Sequence, residues 1–75
     1  MTLDQLRNNQ QAIIKRLPDD YHVCVGLMEQ GFIPNILISL AHRAPFNGPL
    51  AVRLQGTKIA INAEIARQIE VDLLP

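Results

Sequence analysis

Residues Leu27 to Val71 read LMEQGFIPNILISLAHRAPFNGPLAVRLQGTKIAINAEIARQIEV, 45 residues in which turn chemistry and apolar alternation follow one another with hardly a spare position. Glu29 lies late in a helix, and Gly31 takes the left-handed place just past a helix end. Pro34-Asn35 suits the centre of a type II turn, because proline fixes φ at the first central position and asparagine accepts positive φ at the second. From Ile36 the pattern has period two. Ile36, Ile38 and Leu40 alternate with Leu37, Ser39 and Ala41, and Leu50, Val52 and Leu54 alternate with Ala51 and Arg53, as half-buried strands do. Between these runs AHRAPFNGP reads as a loop. Gln55-Gly56 makes a tight hairpin into a strand over Lys58–Ile61, Asn62 caps the single helical turn AEIARQ, and Ile69–Leu73 alternates as a last strand.

Working outward, the opening MTLDQLRN predicts a helical turn with Thr2 as cap and with Leu3 and Leu6 on one face. Asn8 and Asn9 supply a turn, since asparagine tolerates left-handed backbone angles. Ala12–Leu17 is β-branched at its centre and reads as the first strand, ended by Pro18. Asp19 or Asp20 can cap the helix that follows, over Tyr21–Gln30. Its interior Val23-Cys24-Val25-Gly26 is intrinsically weak, glycine alone costing about 1 kcal/mol relative to alanine, so packing has to hold it. The expected fold is mainly β: a small SH3-like barrel of about five strands, with one short helix between the first two and a helical turn before the last. A barrel closes its sheet and so avoids exposed edges. No repeat, linker or low-complexity tract interrupts the chain, so residues 1–75 form one domain.

Composition excludes several function classes. The 75 residues carry seven Lys and Arg against seven Asp and Glu, with the basic residues scattered and only Tyr21, Phe32 and Phe46 aromatic. Nucleic-acid binding needs phosphate-neutralising clusters or stacking platforms, and neither is here. Zero formal charge favours weak self-association. A lone cysteine, Cys24, permits no internal disulfide and fits a reducing cytoplasm. Neither a secretory leader nor an apolar run of about 18 residues is present, so no direct membrane insertion is expected. A core of this size gives a net stability of a few kcal/mol at most, of order 0.05–0.15 kcal/mol per residue.

Few residues carry chemistry. His22 and Cys24, with Asp19, Asp20 and His42 nearby in sequence, are the tempting metal ligands. On a helix, positions two apart point about 200° away from each other, so one ion does not reach both. Cys24 reads as a small core hydrophobe and His22 as a solvated helix residue. No nucleophile stands beside a base, and Gly26, Gly31, Gly48 and Gly56 fall at no phosphate-loop or dinucleotide spacing. The expectation is no enzyme, no cofactor and no specific metal site. Phe46 stands out, because Pro45, Asn47 and Gly48 place it at a loop tip. It either folds back over the barrel end or anchors in a partner pocket. VCVGLM is more apolar than one buried helix face requires, which fits a deep helix, a partner groove or a self-association patch.

Taken together, LxxxGFIPN, then ISLAHRAPFNGPLAVRLQGTKIAI, then AEIARQIEV resemble the ferrous iron transport protein A family over nearly the whole chain. Leu27 and Gly31 match the family's helix end, and Pro34-Asn35 stands at its proline-glycine turn. Ala44, Pro45, Phe46, Asn47, Gly48 and Pro49 resemble its alanine-proline, apolar, turn, proline loop, and Ala66 and Ile69 match its ending. The chain departs from the family where Asn9 and Asn35 stand for glycine, and where Val25-Gly26 replaces basic residues. The resemblance implies a cytoplasmic SH3-like barrel, peripheral at the inner membrane through its partner, that assists the membrane ferrous iron transporter protein B, whose cytosolic part carries a GTP-binding domain. It implies no catalytic residues, and transition metal binding only as a family property. The expected partner contacts are Arg43, Pro45, Phe46 and Asn47 in the loop, with Tyr21, Val25 and Met28 on the helix. The competing reading is a free-standing SH3-like regulatory module similar to the C-terminal domains of metal-dependent repressors.

Overall fold

The computed structural model describes residues 1–75. A 3₁₀ turn at Leu3–Gln5 precedes β1 (Gln11–Arg16), α1 (Tyr21–Glu29), β2 (Leu37–Arg43), β3 (Leu50–Leu54), β4 (Thr57–Ile61), α2 (Ala63–Ala66) and β5 (Glu70–Leu73). The strands form one antiparallel sheet in the order β4-β3-β2-β1-β5. It curls around sixteen buried apolar residues, among them Phe32, Ile14, Ile38, Leu40 and Ile69, and no polar or charged residue is buried with them. Burial alternates in β2 and β3 because successive side chains leave opposite faces of the pleat. This is the five-stranded, SH3-like architecture expected from the alternation.

The turn residues act as their chemistry dictates. Asn9 (φ 68°) and Asn35 (φ 72°) take left-handed angles in the two places where the family resemblance has glycine. The Ile36 N–H donates to the Ile33 carbonyl at 3.2 Å across Pro34-Asn35. Asp20, rather than Asp19, caps α1, accepting from the Val23 N–H at 3.1 Å, and Asn62 caps α2, accepting from the Ile65 N–H at 2.7 Å. Gly31 (φ 105°) follows the helix end, its N–H on the Met28 carbonyl.

Two expectations change. The run Ala41-His42-Arg43 is not loop: β2 continues through Arg43, with a bulge that sets Ala41 and His42 against the single residue Ala51. The extra residue breaks the period of two there, which is why the alternation stopped short. The remaining strand ends coincide with the expectation or shift by one residue. The sheet also lacks a ladder between β4 and β5, so it is curled but has two edge strands. The edge of β5 is covered by the amino terminus. Leu3 donates to the Ile69 carbonyl at 2.9 Å, Val71 donates to the Met1 carbonyl at 2.8 Å, and Thr2 bridges Glu70. Leu3 and Leu6 are buried and hold that segment in place. The edge of β4 has no such cover.

Candidate docking surface

The loop between β2 and β3, residues 44–49, is built to hold one side chain away from the protein. Its neck closes through the Ala44 N–H donating to the Pro49 carbonyl at 3.0 Å, and its tip through the Gly48 N–H donating to the Pro45 carbonyl at 3.1 Å. Phe46 (φ 59°) and Asn47 (φ 57°), the two central residues of that tip, are both left-handed, which is the geometry of a type I′ turn. Gly48 allows the loop to fold tightly. A Cβ there would lie 2.9 Å from the Ala44 Cβ and 3.0 Å from the Pro45 carbonyl oxygen. Pro45 and Pro49 stiffen both arms. Phe46 is 99% exposed, so the alternative in which it folds back over the barrel end does not occur. An aromatic residue at positive φ is backbone strain of about 1–3 kcal/mol, offset by no burial.

Arg43 is exposed and at the same time ties down the frame of this loop. Its guanidinium Nη2 donates to the Asp4 and Leu6 carbonyls, both at 2.7 Å, tying the end of β2 to the 3₁₀ turn. Those two carbonyls come at a helical end, where carbonyls lack internal partners.

On α1, Tyr21 is 74% exposed, Met28 is exposed and Val25 half-buried. Only Leu27 is fully buried in the helix, with Val23 and Cys24 packed partly against the core, so the helix lies on the surface and is not deep. His22 is exposed beside Tyr21, the ring centroids 5.7 Å apart edge to face, and Cys24 points elsewhere, its Sγ 4.0 Å from the Met28 Sδ. No three His, Cys, Asp or Glu side chains come together as a metal site. His42 lies exposed inside β2.

A second feature escaped the reading of the sequence. Between α1 and the end of β4 with the following α2 runs a shallow groove lined by Val23, Gly26 and Leu27 of the helix and by Ala60, Ile61 and Ile65, with the polar residues His22, Gln30 and Asn62 also in its lining. At about 100° per residue, Gly26 lies some 100–160° around the helix from Tyr21, Val25 and Met28, so the expected helix contacts and the groove occupy different faces. The rows Arg43, Leu50 and Ile61 pair across the sheet, which sets the loop and the groove at the same end of the molecule. Its only sequence signal is Gly26 itself, a glycine in mid-helix without a turn to justify it.

An SH3-like sheet bearing an exposed aromatic loop and a shallow surface groove makes this a small SH3-like domain. The FeoA domain model matches residues 1–73, and the chain belongs to that family. A Campylobacter jejuni chain to which the role of Fe(2+) transport protein A is provisionally assigned is 31% identical over 74 residues, covering 99% of this chain and 100% of that one. In Porphyromonas gingivalis a similar sequence, 28% identical over 99% of this chain, makes up 9% of an Fe(2+) transport protein A/Fe(2+) transporter FeoB fusion protein. Among solved structures, Stenotrophomonas maltophilia FeoA complexed with zinc, described as an SH3 domain protein, superposes with a TM-score of 0.81 at 25% identity, covering 96% of this chain and 89% of that chain. The manganese-activated repressor ScaR shares the fold, with a TM-score of 0.87 at 22% identity over 99% of this chain and 35% of its own. The family is thus linked to ferrous iron transport, and no helix here is long and apolar enough to cross a membrane.

Proposed function

We propose that this chain is a non-enzymatic cytosolic accessory protein of ferrous iron uptake, which docks on the cytosolic part of the membrane ferrous iron transporter and modulates it. The observation that carries this reading is the fusion: a similar module is covalently joined to the transporter in one relative, which keeps the two in permanent reach of each other. Phe46 supplies the anchor. Its ring stands in water on a loop stiffened by two prolines and two cross-loop hydrogen bonds, so burying it in a partner pocket costs little ordering entropy. Pro45 and Asn47 flank it, and Tyr21, Val25 and Met28 offer a separate apolar stripe for the same partner or for weak self-association. Docking alters transport only if the module prefers one transporter state, since equal affinity for all states shifts nothing.

The test is anaerobic uptake of labelled Fe²⁺ in cells lacking this chain, with transporter abundance held equal, alongside binding to the purified transporter. Uptake that falls and is restored by the gene but not by Phe46→Ser supports the reading. Unchanged uptake removes the transport role, and recovery of a transcription factor as the bound partner replaces it with the regulatory-module reading.

A further inference from the structure

The edge of β4 is an unfinished ladder. The two-residue turn Gln55-Gly56 sets Leu54 opposite Thr57, and in such hairpins the pair flanking the turn exchanges both backbone hydrogen bonds, as does every second pair after it. Thr57, Ile59 and Ile61 therefore bond to β3, while the N–H and C=O groups of Lys58 and Ala60 point away from the sheet. β4 is last in the strand order, and no loop, turn, cap or side-chain hydrogen bond reaches residues 57–61. At its Ala60–Ile61 end this open edge borders the groove beneath α1. A Cβ on Gly26 would meet nothing within 4 Å, so packing inside the chain does not require glycine there. Glycine is unfavourable in mid-helix, and what it provides is clearance over the groove.

We infer that this groove takes a single extended segment of the transporter as a sixth strand, added to the free edge of β4 and packed beneath α1. The inference rests on the proposed transporter docking and specifies how part of it is made. Main-chain groups of Lys58 and Ala60 supply the hydrogen bonds, and alternate apolar side chains of the segment meet Val23, Leu27 and Ile65. The fusion relative selects this occupant, because it places the transporter chain within reach of the same module. A second copy pairing through its own β4 is the competing occupant, and the experiment below separates the two.

The experiment measures binding of the full chain to its full-length transporter in lipid nanodiscs, together with hydrogen exchange of the chain free and bound. Ala60→Pro removes an N–H that faces away from β3, a place where an edge strand accepts proline. Gly26→Leu fills the groove from the helix side. Each variant is expected to weaken binding at least about tenfold without a lowered melting temperature, and the Lys58 and Ala60 amides are expected to gain protection in the wild-type complex. Wild-type affinity in both variants, with those amides unprotected, overturns the groove while leaving the docking reading standing on Phe46→Ser. Failure of the wild-type chain to bind the transporter overturns both. Protection that rises with protein concentration alone makes a second copy the occupant and overturns the inference. Should Ala60→Pro fail to fold, Gly26→Leu and the exchange data decide.

Discussion

Phe46 and Arg43 sit three residues apart and have opposite parts. Phe46 gives the fold nothing that the structure reveals: it is solvated, and its backbone angle is one that asparagine adopts far more easily. Phe46→Asn should therefore raise stability by about 1 kcal/mol, a rise in melting temperature of roughly 4–8 °C, while weakening binding to the transporter. Parallel thermal melts and binding titrations check this, and a lower melting temperature would show that the ring supports the fold after all. Arg43→Met removes both hydrogen bonds to the Asp4 and Leu6 carbonyls and should cost about 1–3 kcal/mol, read as a lower urea midpoint with an unchanged slope. The exposure of Phe46 was legible as one of two alternatives, because proline, asparagine and glycine on either side mark a tip. The commitment of Arg43 was not, since its acceptors lie 37 and 39 residues away in the chain and nothing local points to them.

The helix α1 shows how far periodicity carries. Its start, capped by one of Asp19 and Asp20, and its end before Gly31 were readable because capping chemistry is local. The face that matters was not, because a helix of Val, Cys, Val and Gly has no polar side to orient it, and only the position of β4 and α2 tells which stripe meets a groove. Gly26→Ala adds a methyl group where no atom lies within 4 Å. It should stabilise the protein by about 1 kcal/mol, measured by chemical denaturation, whereas a glycine needed for close packing would give a loss. The bulge in β2 makes the same point for strands. One extra residue at Ala41-His42 shifts the alternation, and Arg43 becomes a strand residue paired with Leu50 rather than part of a loop.

Across the whole molecule, the two edges of the sheet are treated differently. Met1–Leu3 pairs along β5 and buries Leu3, while β4 is left open beside α1. Deleting residues 1–3 exposes the β5 edge and removes a buried leucine, a loss of about 2–5 kcal/mol for the side chain alone. In a 75-residue chain that is comparable with the entire stability, so the truncated protein should be largely unfolded or associated at 25 °C, seen by circular dichroism and light scattering. A truncated chain that stays monomeric with its melting temperature intact would show that the amino-terminal pairing is ornamental. The two cross-strand ion pairs between β1 and β5, Lys15 with Asp72 at 3.5 Å and Arg16 with Glu70 at 2.7 Å, lie at the surface and contribute little by comparison. The hydrogen bond to Glu70, together with its charge, raises the Arg16 guanidinium pKa above its ordinary value.

The order of the elements, the turns at Pro34-Asn35 and Gln55-Gly56, the helix caps and the family itself follow from the sequence, because each depends on residues within a few positions of one another or on a pattern with a fixed period. The open edge of β4, the groove under Gly26, the cover over β5 and the hydrogen bonds of Arg43 to the amino-terminal turn come only with the tertiary structure. Each is a relation between segments distant in the chain, set by the curl of the sheet, and neither spacing nor composition encodes which strand ends up at an edge.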